Sequence, residues 1–102
     1  MNAKHKKRLR TIGHQLRPVV TVAGNGLSDA VLTELNRALD DHELIKVKII
    51  GDREERKLIV EAIAAMADTD VIQAIGGVAL IYRPAREANP ALSNIARTEL
   101  LL

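Results

Sequence analysis

The chain has 102 residues, room for one domain and one hydrophobic core, and its 47% apolar and 27% charged residues make a globular rather than a disordered composition. The absence of cysteine excludes disulfides and thiolate metal sites, and no apolar run approaches the roughly 20 residues of a membrane span or forms an N-terminal signal peptide, so the expected location is the cytoplasm. The formal charge of +2 conceals an asymmetry: residues 1–17 carry six Lys and Arg with no acid, and residues 18–102 carry nine against thirteen Asp and Glu.

Residues 4–16 are expected to form the first helix, because Leu9, Ile12 and Leu16 recur at helical spacing and leave the basic residues on the remaining arc. Lys4, Lys6, Lys7, Arg10 and Arg17 then make a cationic arm on a mildly acidic body, suited to a polyanion or to simple solubilisation. Arg17-Pro18 ends the helix, since proline disfavours helical geometry in the residue before it. Val19 to Val22 is a short buried strand, bounded by Gly24 and Gly26.

Ser28 followed by Asp29 is a helix start, and Val31, Leu32, Leu35, Ala38 and Leu39 are the apolar stripe of a helix ending near Asp41-His42. Leu44 to Ile50 alternates, with Ile45, Val47 and Ile49 on one face and Lys46, Lys48 and Ile50 on the other. Lys46 and Lys48 could be solvent cover for an open sheet face or part of a binding surface. Asp52 and Glu55 have the spacing of a capping box and open a helix to about Ala67. Val71–Ile75 and Val78–Tyr82 are strands joined by Gly76-Gly77, a pair suited to a tight hairpin. The expected fold is a two-layer α/β domain of order α-β-α-β-α-β-β, with helices packed on a four-stranded mixed sheet over residues 1–84. Residues 85–102 are a tail, either flexible or docked, in which Asn89-Pro90 could cap a short helix containing Leu92, Ile95, Ala96 and Leu100.

Tyr82 is the only aromatic residue. Modules that stack bases on aromatic platforms are therefore excluded, and any nucleic-acid binding would rest on backbone charge, main-chain N–H groups and shape. The glycine-rich turn Ala23-Gly24-Asn25-Gly26 links a strand to a helix, where backbone N–H groups and the helix dipole can meet a phosphate. Taken alone, it reads first as an ordinary strand-to-helix turn. It is not a P-loop, because no Gly-Lys-Ser/Thr follows.

The stretch from Leu16 to Ser28, LRPVVTVAGNGLS, resembles the signature of the CRM (chloroplast RNA splicing and ribosome maturation) family: a leucine, basic residue and proline leading through a valine-rich strand into a GxxG loop. His42 to Lys48 resembles a second family block, and Leu80-Ile81-Tyr82-Arg83-Pro84 its closing strand. The chain is most similar to the stand-alone bacterial YhbY-type members. The resemblance implies a fold similar to the C-terminal domain of translation initiation factor three, no enzymatic activity, and a role in ribosome assembly. It also implies association with ribosomal RNA in precursors of the large subunit, with contact through the loop and neighbouring basic residues. Carried over by position, these are Ala23, Gly24, Asn25 and Gly26, with Lys46 and Lys48 in the second block. One departure stands out: Ala23 occupies the first glycine position. Ala is penalised in the left-handed region, so Ala23 is expected at negative φ, with positive φ at Gly24, Asn25 or Gly26.

His5, His14 and His42 are too scattered for a metal site, and Asp52, Glu54 and Glu55 are explained by a helix start. Arg53, Arg56 and Lys57, interleaved with Glu54 and Glu55, fit ion pairing. No cofactor or metal is expected. The expected partner is RNA, with ribosomal proteins as further candidates, no membrane, and a monomeric state. The alternative function is a protein-interaction module docking a ribosomal protein or an assembly GTPase through the apolar C-terminal segment.

Overall fold

A computed structural model of the chain describes residues 2–24 and 26–101, and the side chains of all of these except 98–101. The elements follow as α1 (Ala3–Gly13), β1 (Pro18–Val22), α2 (Asp29–His42), β2 (Leu44–Ile49), α3 (Arg53–Ala64), β3 (Asp70–Ile75), β4 (Val78–Tyr82) and α4 (Asn94–Leu101). The first three helices begin where a short polar side chain can take up an otherwise free N–H. Asn2 Oδ1 accepts from His5 N at 2.8 Å, and Ser28 Oγ accepts from Val31 N at 3.3 Å. Both bonds of the capping box form: Glu55 N donates to Asp52 Oδ1 at 2.8 Å, and Asp52 N donates to Glu55 Oε1 at 3.1 Å.

The expected four-stranded mixed sheet is present, in the order β1-β2-β4-β3, with β1 parallel to β2 and the other pairs antiparallel. Its layering departs from the two-layer expectation. Val20, Val22, Ile45, Val47, Ile49, Ala79 and Ile81 pack against Leu35 and Leu39 of α2 and Ile59 and Ile63 of α3. Leu44, Ile72 and Leu80 point the other way, onto Leu9, Ile12 and Leu16, with Ile95 of α4 beside them. Helices therefore cover both faces. The reason lies in β4, where Ala79, Leu80 and Ile81 are consecutive buried residues, a pattern only a strand covered on both sides can satisfy.

Element ends differ where local turns win. α1 stops at Gly13 rather than at 16, because Gln15 and Leu16 donate back to Ile12 and Gly13 in tight i→i+3 turns. Gly13 is needed there: a Cβ on it would lie 2.6 Å from Leu80 Cδ2. α3 stops at Ala64 rather than at 67, where Met66 N turns back to Ile63 O and Asp68 takes positive φ. β2 stops one residue early, although Ile50 N still donates to Val22 O at 2.9 Å.

The tail, left open between flexible and docked, is docked through residues 85–97. Its anchor is Glu43, which ends α2 at φ 62° and is 6% exposed. Ser93 Oγ donates to Glu43 Oε1 at 2.7 Å, and Ala85 N donates to Glu43 Oε2 at 3.0 Å. Arg83 N donates to Glu43 O, and the Arg83 guanidinium ties β4 to Asn36 and Asp40 of α2. Asn94 Nδ2 donates to Leu44 O at 2.6 Å, and the His42 ring meets Leu92 O at 2.8 Å. The cap of the last helix is Ser93, whose Oγ accepts from Ile95 N and Ala96 N; Asn89 instead closes the preceding turn onto Ala91, Leu92 and Ser93. Every buried side-chain nitrogen or oxygen among the described residues has a partner.

Replacing Ser93 with Ala removes the donor to a buried carboxylate and the cap of α4 together. A loss of about 2 kcal/mol in stability is expected, and hydrogen exchange should accelerate at residues 94–97 while the β2–β4 ladder stays protected.

Candidate nucleic-acid interface

The cationic arm is the outer arc of α1. Lys4 and Lys7 are exposed, whereas Lys6 and Arg10, one turn apart, are half-buried along the edge of the Leu9 stripe. The first turn of α1 holds no acid, so Lys4 and Lys6 face the positive end of the helix dipole uncompensated. His5 meets the Tyr82 ring edge-on at 5.8 Å between centroids, which fixes the start of α1 above the C-terminal end of β4.

On the same side of the sheet, β2 changes character along its length. Leu44 is buried, Lys46 half-buried and Lys48 exposed. Pairing places Lys46 opposite Pro18, next to Arg17, and Lys48 opposite Thr21, two residues before the glycine turn.

The turn itself closes through Gly26 N donating to Ala23 O at 2.9 Å. Gly26 carries positive φ of 72° and Ala23 does not, as the alanine requires. Asn25, a predicted contact, lies outside the described residues. Gly26 cannot offer its own N–H, because the turn uses it, and Ser28 N is taken by Gly26 O. Among the described residues, the backbone donors that remain here are Gly24, Leu27 and the first helical residues, Asp29 and Ala30. A side chain on Gly26 would meet nothing within 4 Å, so the surface over it is open.

Sequence reading did not anticipate Glu55 beside the turn. A Cβ built on Gly24 would lie 3.2 Å from Glu55 Oε2, and Glu55 lines a cleft of about 220 Å³ with Gly24, Gly26, Leu27 and Leu58. A carboxylate there disfavours a phosphate on the α3 side of the turn and leaves the α2 side for an anion. No spacing rule signals it, because Glu55 is already accounted for as a capping partner.

The predicted residues thus fall into neighbouring groups rather than one spot. Arg17 adjoins Lys46, and Lys48 adjoins the glycine turn. The start of α1 sits at the opposite end of the sheet from the turn, separated by the length of β2, roughly 17 Å. No helix among the described residues is long and apolar enough to cross a membrane, and none of their His, Asp and Glu residues cluster to hold a metal ion.

Residues 1–83 match the sequence profile of the CRS1 / YhbY (CRM) domain. The chain belongs to this family. The three stretches that resemble CRM signature blocks fall on β1 with its turn, the end of α2 with β2, and β4, which the fold sets side by side. The chain is 46% identical over 98 residues to a Pseudomonas aeruginosa protein named "Probable RNA-binding protein", covering 95% of this chain and 94% of the relative. It is 45% identical over 89 residues to a Haemophilus influenzae protein named "RNA-binding protein", covering 86% and 90%. A Staphylococcus aureus protein with a solution structure shares the fold, with a TM-score of 0.74 at 24% identity over 87% of this chain and 94% of that one. The CRM match ends at residue 83, so the docked tail lies beyond it.

The cap beneath the turn is electrostatic. The Glu55 backbone N–H, with further help from the Glu54 backbone N–H and the Arg56 charge, holds the Asp52 carboxyl below its ordinary value. A lowered folded-state value contributes stability that is present above the ordinary Asp range and is lost as pH falls through the lowered one. An Asp52→Asn variant should therefore melt below the parent at neutral pH. The gap should close in acid, below the ordinary carboxylate range.

Proposed function

We propose that this CRM domain binds RNA without catalysis, through the basic arc of α1, Lys46 and Lys48, and the turn leading into α2. The single observation that carries the reading is the acid-free cationic arm laid against the same sheet side that presents Lys46 and Lys48, with free backbone donors at its far end. The names of the two relatives support RNA as the partner. The resemblance to YhbY-type members supports a finer reading: the RNA is ribosomal, in precursors of the large subunit, and the protein assists their assembly in the cytoplasm. With one aromatic residue, half-buried under α1, recognition rests on phosphate and shape rather than on base stacking.

The alternative, a C-terminal segment free to dock a ribosomal protein or GTPase, has less support. Ser93, Asn94 and Ile95 are engaged by the chain's own Glu43, Leu44 and apolar core.

Two measurements test the RNA reading. Replacing Lys6, Lys7 and Arg10 with Ala should flatten the salt dependence of RNA affinity by about two units, from the single-strand slope of about 0.7 per phosphate; an unchanged slope would reduce the arm to a solubilising segment. Gly26→Asp should cost only about 1 kcal/mol of stability, because Asp tolerates the left-handed region better than most residues. The same variant should lose at least about tenfold in RNA affinity, about 1.4 kcal/mol. Melting temperature and affinity are to be read on one preparation.

A further inference from the structure

Where α4 docks, it builds a second feature at the start of β1. A cleft of about 280 Å³ opens between the α1–β1 junction and the tail, and Arg17, His42, Asn94 and Arg97 are among its lining residues. Its apolar walls include Leu16, Val19, Ile45 and Leu92. Among the described residues no carboxylate lines it, in contrast to the cleft beside the glycine turn, which holds Glu55, and the one below the start of α1, which holds Asp68 and Asp70.

The two arginines are available to a ligand. Arg17 is exposed and has no hydrogen-bond or ion-pair partner among the described residues. Arg97 Nη2 donates to Asn94 Oδ1, and Asn94, 8% exposed, is itself fixed by donating to Leu44 O. A neutral amide orients this guanidinium without neutralising it, so its charge and its other N–H groups remain for an anion. His42 Nδ1 faces the Leu92 carbonyl, which can only accept, so Nδ1 carries the hydrogen and Nε2 is left for a ligand.

We propose that this cleft is a nucleotide subsite, holding one phosphate of a bound RNA between Arg17 and Arg97 and its unpaired base against Leu16, Val19 and Leu92. The inference rests on the RNA-binding reading and adds to it a site that the CRM match does not cover, since Arg97 and Leu92 lie beyond residue 83. Continuity with the proposed RNA surface selects the occupant. Arg17 follows the acid-free arm directly, and Pro18 pairs with Lys46. β1 is an edge strand of five residues, so the cleft and the glycine turn stand at its two ends, roughly 13 Å apart. A single strand laid along that edge reaches both. A duplex, with its bases stacked inside, cannot place one in the cleft.

The test uses the full chain, an unstructured single-stranded RNA oligonucleotide and an RNA duplex, with affinity measured across a salt series. The variants are Arg17→Gln, Arg97→Gln, the double change, and Arg97→Lys. The double variant should bind the single strand about tenfold more weakly, with a salt slope lower by about 0.7, the value of one phosphate. Arg97→Lys should recover the slope but only part of the affinity, because lysine keeps the charge and loses the fork. Duplex affinity should change by less than single-strand affinity. A merely structural role would weaken binding equally at every salt concentration and leave the slope alone, which would overturn the subsite. Unchanged affinity and slope in the double variant would also overturn it and leave the cleft to an acidic protein segment. Absence of RNA binding by the parent chain would instead overturn the functional reading itself, and the subsite with it.

Discussion

A parallel ladder cannot be closed by a hairpin, so the pairing of Val20, Thr21 and Val22 with Val47, Lys48 and Ile49 obliges the chain to cross the sheet through α2. The consequences reach every part of the proposed surface. The crossover must begin at the C-terminal end of β1, and there the glycine turn and the first N–H groups of α2 meet the open end of the sheet. The N-terminal end of β1 is left for α1 to enter, so the cationic arm and the glycine turn are held apart by the sheet itself. β1 becomes an edge strand, which Pro18 begins without a donor to offer.

The second constraint is Glu43. A non-glycine residue at positive φ, it turns α2 directly into β2 and places a buried carboxylate where Ser93 and Ala85 can donate to it. A polar group this buried is tolerated because both of its oxygens are hydrogen-bonded. The same bonds fix the tail against the sheet, and the tail in turn supplies Leu92 and Arg97 to the cleft at Arg17. The proposed nucleotide subsite thus depends on a bond fifty residues long in sequence.

What could be read from the sequence was local. Ser28 and Asp52 announced their helices through single side chains and their spacing, and the alternation Ile45, Val47, Ile49 against Lys46, Lys48 assigned the faces of β2 correctly. Ala23 at negative φ followed from its Cβ alone. The failures were tertiary. Nothing near Leu9 or Leu80 states that α1 lies on the sheet face opposite α2 and α3, and Asn89-Pro90 offered a stronger local cap than Ser93, whose role depends on Glu43. Glu55 and Arg97 were missed as neighbours of the surface because their partners are distant in sequence, and Glu55 already had a sufficient local explanation.

The account stands on RNA meeting one continuous side of the molecule, from α1 across Lys46 and Lys48 to the start of α2. Amide chemical-shift mapping of the full chain during titration with a short single-stranded RNA tests this directly. The predicted result is a contiguous set of shifts at residues 4–10, 17 and 19, 46–48 and 24–30, with the outer face of α3 around Lys57 and Glu61 unmoved. Shifts centred on α3, or confined to the N-terminal arm with β1, β2 and the glycine turn unchanged, would contradict it.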